Sequence, residues 1–364
     1  MRVLHRTSAS GQDGTPAPTA SRHTARVVSP RFTIVVPLFN KARFIRGALH
    51  SALAQTRRDL EVIVVDDGST DEGAAIVEAC TDPRVRLIRQ ANAGVSIARN
   101  QAIAAARGEW VVFLDADDWQ HPRFLEALAR VQDAHPGLDC VATRFHEFAD
   151  DSGAPPAAWC VPQGEPAVEL IPDLAARWMK GPTLFTGSIA IRHSLLRELQ
   201  PCFRPGEHFG EDLDLWFRVS ERTPIALIDV PLAGYRVGQQ DSLSVVHRPR
   251  ELPAWTGRLR ERVNCEGFNP VRRRSALTLV AQMHVTEARV ALVAGERGKA
   301  IAHWLRGAAA WTTPRWWLTA FMLAWPAEAV RAHQRPAPVA APAPAPEPEE
   351  SPASVWPPFA AAEH

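Results

Sequence analysis

The sequence predicts an α/β fold, a mostly parallel sheet covered by helices on both faces, followed by a C-terminal helical region. Three observations predict it. Between Phe32 and Cys140, short β-rich runs alternate with segments of helical periodicity. Runs such as "FTIVVP" and "LEVIVVDD" are apolar at consecutive positions, as in strands buried on both faces. A helix-length segment between successive strands is the connection a parallel sheet requires.

Taken in order, "FTIVVP" is the first strand, and Phe44, Ile45, Ala48, Leu49, Ala52 and Leu53 recur at helical spacing after it. "LEVIVVDD" is the second strand, with Ser69 or Thr70 as N-cap of a helix carrying Asp71 and Glu72 in its first turn. "VRLIR" is the third strand. Val95 to Ala106 reads as a helix closed by Gly108, and "WVVFLD" as the fourth strand. Pro122 suits the first turn of a helix reaching about Ala134, and "LDCVAT" is the fifth strand. A Pro- and Gly-rich stretch from about Asp150 to Gly164 precedes a helix expected over Ala167 to Lys180. A strand at "SIAIR", a helix over Glu211 to Glu221 and strands through "IALIDV" and "LAGYRV" follow. Ser275 to Val293 and Lys299 to Ala310 read as helices, and a Trp-rich stretch reaches about His333. The expected organisation is a leader over 1–30, an α/β domain over 31–248, a helical region over 249–333 and a Pro/Ala-rich tail over 334–364.

The 364 residues are 46% hydrophobic with net charge +1, so no strong field favours nucleic acid. The five cysteines form no C-x-x-C pair, which argues against a disulfide framework or zinc knuckle and fits a reducing, cytoplasmic setting. The first thirty residues have no continuous apolar core of a secretory signal, and no apolar run reaches the length of about 18 residues that reads as a spanning helix.

In parallel α/β sheets, ligands sit beyond the carboxyl ends of the strands. Those ends carry Pro37 to Asn40, Asp66 to Ser69 and Asp115 to Asp118. In "WVVFLDADDW" a buried strand runs into Asp115, Asp117 and Asp118, and clustered carboxylates demand a positive partner. Asp115 and Asp117 on a tight turn suit Mg²⁺ or Mn²⁺, which take hard oxygen ligands. A solvated acidic turn capping the next helix is the other reading of those residues alone. In "VIVVDDGSTD", an aspartate past a strand end can accept from the imide N–H of a pyrimidine base, or close an Asx-turn.

Four segments, "VVPLFNKARFIRGALHSALAQT", "EVIVVDDGSTD", "NAGVSIARNQAIAAARGEWVVFLDADDW" and "GEDLDLW", occur in an order and spacing that resembles the family-2 glycosyltransferases, which have the Rossmann-like GT-A fold. The resemblance covers about residues 31 to 245. It implies an inverting transferase that takes a sugar from a nucleoside diphosphate donor, UDP before dTDP or GDP by analogy, with a divalent cation, Mn²⁺ or Mg²⁺. It puts Asp115 and Asp117 at the D-x-D motif, the first touching donor ribose or metal and the second binding the metal. By the same resemblance Asp66 and Asp67 stand at the nucleobase, Pro37, Phe39 and Asn40 line the nucleotide pocket, Arg99 lies near the donor, and Arg236 reaches the diphosphate. Asp118 is left as a turn residue. Asp212 matches the family's general base, and an aspartate ionised at neutral pH can take a proton from an acceptor hydroxyl. Glu211 and Asp214 fit a simpler role, favouring the helix N-terminus, and Trp216 fits the core. In "YRVGQQDSLS", Gly238 stands where many relatives have histidine.

The tryptophans and arginines between Trp304 and Arg331 suit either a helix lying in a membrane interface or a subdomain packing its indoles inward. The partners expected are a nucleotide-sugar donor, a glycan or lipid-linked acceptor in building a surface glycan, and no nucleic acid. The location expected is cytoplasmic, with peripheral contact at the inner face of the plasma membrane through the Trp-rich helices. A sugar nucleotidyltransferase is a rival reading, but "PLFNKARF" is not its Gly-rich basic loop. A silent nucleotide-sugar-binding scaffold is the other; Gly238 favours it, while Asp115, Asp117 and Asp212 weigh against it.

Overall fold

The computed structural model describes residues 29–149, 164, 166–207, 209–239 and 251–325. The leader before residue 29, nearly all of the Pro- and Gly-rich stretch from 150 and the Pro/Ala-rich tail lie outside the described residues. In chain order the elements are β1 (Phe32–Leu38), α1 (Ala42–Leu53), β2 (Leu60–Asp66), α2 (Gly73–Glu78), β3 (Val85–Arg89) and α3 (Val95–Ala105). Next come β4 (Trp110–Phe113), β5 (Trp119–Gln120), α4 (Phe124–Ala134), β6 (Cys140–Phe148), β7 (Val168–Ile171), α5 (Leu174–Trp178), β8 (Ile189–Arg192) and α6 (His193–Glu198). The last are α7 (Glu211–Arg222), β9 (Ile225–Arg236), α8 (Ala254–Val263), α9 (Pro270–Val293), α10 (Arg297–Arg306) and α11 (Pro314–Ala324). Two compact units interleave along the chain: 1–169 with 184–206 and 226–238, and 170–183 with 207–225 and 239–364.

In the first unit the sheet runs β3-β2-β1-β4-β8-β6-β9-β5, with β7 beside β9 off this path. β3, β2, β1 and β4 are parallel, with Phe32 opposite both Leu60 and Trp110. β8 is antiparallel to both its neighbours, and β6 pairs in parallel with β9. The chain steps outward from β1 to β2 and β3, then crosses back to lay β4 on the other side of β1. That reversal opens a crevice at the carboxyl ends of β1 and β4, where ligands of such sheets bind. Every residue of β2 and β4 is buried, which explains why these runs carry no polar alternation. α1 turns Phe44, Ile45, Ala48, Leu49 and Ala52 inward at the expected spacing.

Several local expectations are corrected. Asp71 does not lie inside the second helix, which starts at Gly73. Its carboxylate instead accepts from Gly73 N and Ala42 N, tying α2 to the entrance of α1. Gly108 does not close α3 in a left-handed turn. A Cβ there would lie 2.6 Å from Thr33 N and 2.7 Å from the Phe32 carbonyl carbon, so the glycine permits close backbone approach to β1. Pro122 precedes its helix, which begins at Phe124. The helix expected over Ala167 to Lys180 is strand β7 followed by the five-residue α5. α9 starts at Pro270, where Asn269 Oδ1 accepts from Val271 N and Arg272 N; the segment after it ends as a helix at Arg306. The sequence reading had no counterpart for β5, α6 or α8.

In the second unit α7 packs on α5 and α8, and the long α9 packs on α5, α8, α10 and α11. Trp216 is fully buried, in the core as expected, and so is Trp255, which stacks on Phe217 at 5.1 Å. At the end of the described chain Trp316 stacks on Trp304 at 4.4 Å, while buried Thr319 accepts from Arg289 Nε at 2.8 Å. Among the described residues no helix is long and apolar enough to cross a membrane.

Candidate functional site

The strand ends named from sequence meet in the first unit. Leu38 O, at the end of β1, accepts from Asp67 N at 2.8 Å. Asn40 takes a left-handed conformation with φ 50°, which asparagine tolerates. Its Oδ1 accepts from Thr70 N at 2.8 Å and its own N–H donates to Ser69 Oγ, so the loops after β1 and β2 are stapled together. Pro37 is half-buried, and Phe39 is 46% exposed at the rim.

Asp66 and Asp67 are both buried. Asp66 Oδ1 accepts from Ser69 N at 3.0 Å. Asp67 Oδ1 accepts from Gln90 Nε2 at 2.6 Å and Ala93 N at 2.8 Å, and Oδ2 from Gly94 N at 2.8 Å. Asp67 therefore orders the loop into α3, using three of the roughly four lone-pair positions of a carboxylate. Gly68 beside it has φ +74°, and a Cβ would lie 2.9 Å from Asn92 N; only glycine suits that turn.

The acidic turn after β4 has its positive partners in the chain itself. Arg99, buried in α3, donates to Asp115 Oδ1 at 2.7 Å with its guanidinium over the Phe203 ring. Lys41 Nζ lies 3.0 Å from Asp117 Oδ2. Arg236 Nε donates to Asp117 O at 2.7 Å, and its guanidinium sits between the rings of Phe44 and Phe148. Asp118 is more than a surface turn residue: buried at 3% exposure, it accepts the Arg236 N–H at 2.8 Å, pinning the end of β9 to this turn. Burial, with Asp117 and Asp115 adding repulsion, pushes Asp118 well above the usual carboxylate range. Burial also raises Asp117, which Lys41 opposes and Asp115 reinforces.

A divalent cation fits Asp115 and Asp117. Their side chains remain 26% and 22% exposed and offer hard oxygens two residues apart. Among the described residues no group of three or more His, Cys, Asp or Glu could hold a metal unaided. A cation here would complete its shell with water and phosphate oxygens, as Mg²⁺ characteristically does.

Asp212 belongs to the second unit, in the first turn of α7, half-buried, with Oδ1 accepting from Leu213 N at 2.8 Å. The helix starts there because Gly210 takes φ +69°, where a Cβ would lie 2.9 Å from Trp255 Nε1. Asp214 does not merely favour the helix start. It is fully buried, with Arg218, Arg262 and Arg258 at 3.1, 3.0 and 3.2 Å. Gly238 has φ +87° and open space around it, a backbone state that disfavours any side chain.

Sequence reasoning missed Lys41, Gln90, Phe44 and Phe148 as parts of this arrangement. Lys41 sits inside a quoted motif, yet no spacing rule tells that its ammonium reaches Asp117.

The sequence model for Glycosyl transferase family 2 matches residues 33–199. This domain belongs to that family. The family 2 domain is similar to EpsJ of Bacillus subtilis (strain 168), an uncharacterized glycosyltransferase, at 39% identity over 34% of this chain and 36% of EpsJ. It is 47% identical to the succinoglycan biosynthesis protein ExoO of Rhizobium meliloti (strain 1021) over 29% of this chain and 30% of ExoO. The matches thus span about a third of these curated relatives. Among solved structures, S. aureus TarS 1–349 superposes with TM-score 0.59 at 20% identity, covering 83% of this chain and 88% of that one. The mannosyltransferase PcManGT from Pyrobaculum calidifontis, in complex with GDP-Man and Mn²⁺, gives TM-score 0.52 at 19% identity, covering 84% of each chain. The fold is GT-A, with a C-terminal helical region.

Proposed function

We propose that this chain is an inverting, metal-dependent glycosyltransferase that moves a sugar from a nucleoside diphosphate donor, UDP-linked by preference, to a hydroxyl acceptor. The observation that carries the reading is the meeting of Asp67, Arg99, Asp115, Asp117 and Arg236 at the sheet's switch point. The one acceptor position remaining on Asp67 suits a base imide N–H, and Pro37, Phe39, Asn40 and Asp66 frame the same loops. Arg99 and Arg236 bring fixed positive charge to where a diphosphate would leave. Asp115 and Asp117 would hold a divalent cation, which when bound would supply further neutralisation of charge on the departing diphosphate. Asp212 takes the acceptor's proton as its oxygen bonds to the anomeric carbon and the bond to the diphosphate oxygen breaks, which inverts the centre. A solved structure of TarS holds UDP-GlcNAc and that of PcManGT holds GDP-Man with Mn²⁺, so this donor class has precedent on the fold.

The direct test is a thermal-shift screen of UDP-, GDP- and dTDP-sugars with and without Mn²⁺. A donor at 100 times its Kd adds about 2.7 kcal/mol to stability, a clear rise in Tm. No rise with any nucleotide sugar and Mn²⁺ would sink the reading.

We place the acceptor among surface glycans or lipid-linked sugars, in line with ExoO being a succinoglycan biosynthesis protein, and the enzyme at the cytoplasmic face of the membrane. The support is α11, whose inner face carries Trp316, Thr319 and Leu323 while Trp317, Leu318 and Phe321 on the other, and Trp325 just past its end, are 53–73% exposed. From Arg297 to Trp325 the charged residues are Arg297, Lys299, Arg306 and Arg315, with no acid among them, which complements anionic lipid headgroups. The full chain should co-sediment with phosphatidylglycerol vesicles. Trp317→Ser combined with Phe321→Ser should weaken that binding by roughly 100-fold or more, since each large apolar side chain contributes about 1.5–3 kcal/mol. Sedimentation unaffected by the two changes would remove this contact from the proposal.

A further inference from the structure

We infer that Lys41 holds the place of the divalent cation in the donor-free enzyme and makes metal binding conditional on the diphosphate; the inference rests on the metal-dependent reading above. The argument is one of charge. Around the turn after β4 stand three carboxyls, Asp115, Asp117 and Asp118, and three cations, Lys41, Arg99 and Arg236, all within hydrogen-bonding reach of that turn. Asp115 and Asp117 thus already have cationic partners within the chain. A divalent ion arriving alone would face three positive groups and create an excess of positive charge. An ion arriving with a diphosphate would not, because the phosphate oxygens bring the matching negative charge.

One of the three cations must yield Asp117 for the ion to reach it, and the geometry singles out Lys41. Arg99 is 4% exposed, paired with Asp115 and laid over Phe203. Arg236 is clasped between two aromatic rings, and its Nε donates to the Asp117 carbonyl oxygen. Lys41 is 16% exposed, and its backbone is fixed at the entrance of α1, where Lys41 O accepts from Phe44 N and Ile45 N. Its ammonium, on a four-carbon stem, can leave Asp117 while the backbone stays in place. Released, it remains within a side-chain length of the turn and can pair with the diphosphate that displaced it. Lys41 is thus a positioning residue for metal and donor together.

The test measures Mn²⁺ binding by the loss of the free-ion EPR signal, using MnCl₂ alone and with UDP, GDP or dTDP in turn. The proteins are the full chain, Lys41→Met and Lys41→Arg. The wild type and Lys41→Arg are expected to bind Mn²⁺ weakly alone and far more tightly with nucleotide. Lys41→Met is expected to bind Mn²⁺ alone at least ~10-fold more tightly, because a unit charge a few ångströms away is removed. Its gain from added nucleotide shrinks by the same factor. If all three proteins bind Mn²⁺ with nucleotide but Lys41→Met binds Mn²⁺ alone no better than wild type, the inference fails and the metal-dependent reading stands. If none binds Mn²⁺ under any condition while melting cooperatively, that reading fails and takes the inference with it.

Discussion

Asp212→Asn is expected to lower kcat by roughly 10²–10⁴-fold, the span typical of a lost general base, with donor affinity unchanged. The asparagine keeps a carbonyl oxygen to accept from Leu213 N, the bond that Asp212 Oδ1 makes at 2.8 Å, so α7 should start where it does now. What it loses is proton affinity. Donor and Mn²⁺ binding should persist, because Asp67, Asp115 and Asp117 are untouched. The measurement is single-turnover transfer beside donor binding by calorimetry. Retained binding with lost transfer would eliminate both the silent-scaffold and the nucleotidyltransferase readings. Unchanged transfer would remove Asp212 from the chemistry.

The second large effect concerns stability. Asp214→Ala is expected to destabilise the second unit by about 3–5 kcal/mol, as breaking a buried ion network generally does. Asp214 is fully buried and meets Arg218 with one oxygen and Arg258 and Arg262 with the other. Arg258 is also bidentate to Glu207 at 2.5 and 2.7 Å, and Arg262 pairs with Glu221 at 3.0 Å. Removing the central carboxylate leaves these guanidiniums crowded without the charge that gathers them between α7 and α8. The pH dependence has a definite sign. Burial alone would raise the Asp214 pKa, but Arg218, Arg262 and Arg258 together outweigh it and hold the group below its ordinary value of 3.8. A depressed folded-state pKa contributes stability that is complete above the unfolded value and is lost as pH falls through the folded one. Denaturant titrations of wild type and variant should therefore differ fully at neutral pH and converge below about pH 4. A constant gap down to strong acid would refute the ionic account.

Much of the first unit was legible because its physics is local. Strands buried on both faces must read as unbroken apolar runs, and their crossover helices must show helical period, so β1, α1, β2, α3 and β4 could be read from side-chain pattern alone; β3, a half-buried edge strand, was legible only as a short β-rich run. Where local signals compete with packing, the reading failed. Ala167 to Lys180 has helix-forming residues, yet Val168 to Ile171 joins a sheet edge, because pairing with β9 satisfies its backbone. Gly108 has the look of a helix stop, but what excludes a side chain there is the backbone of β1, which is distant in sequence.

The site divides in the same way. The sequence by itself determined which residues stand at the strand ends, because a parallel sheet puts every carboxyl end on one side and its chemistry follows. It also determined that the acids after β4 needed positive charge. Only the tertiary structure decided where that charge comes from. Lys41, Arg99 and Arg236 arrive from the entrance of α1, from α3 and from β9, and no periodicity links those positions to Asp115 and Asp117. The same holds for Asp67, whose carboxylate is committed to the Gln90–Gly94 loop, and for Asp214, whose three arginines lie on two helices. Hydrogen bonds and ion pairs depend on distances of a few ångströms between chain segments, and those distances exist only once the core has closed.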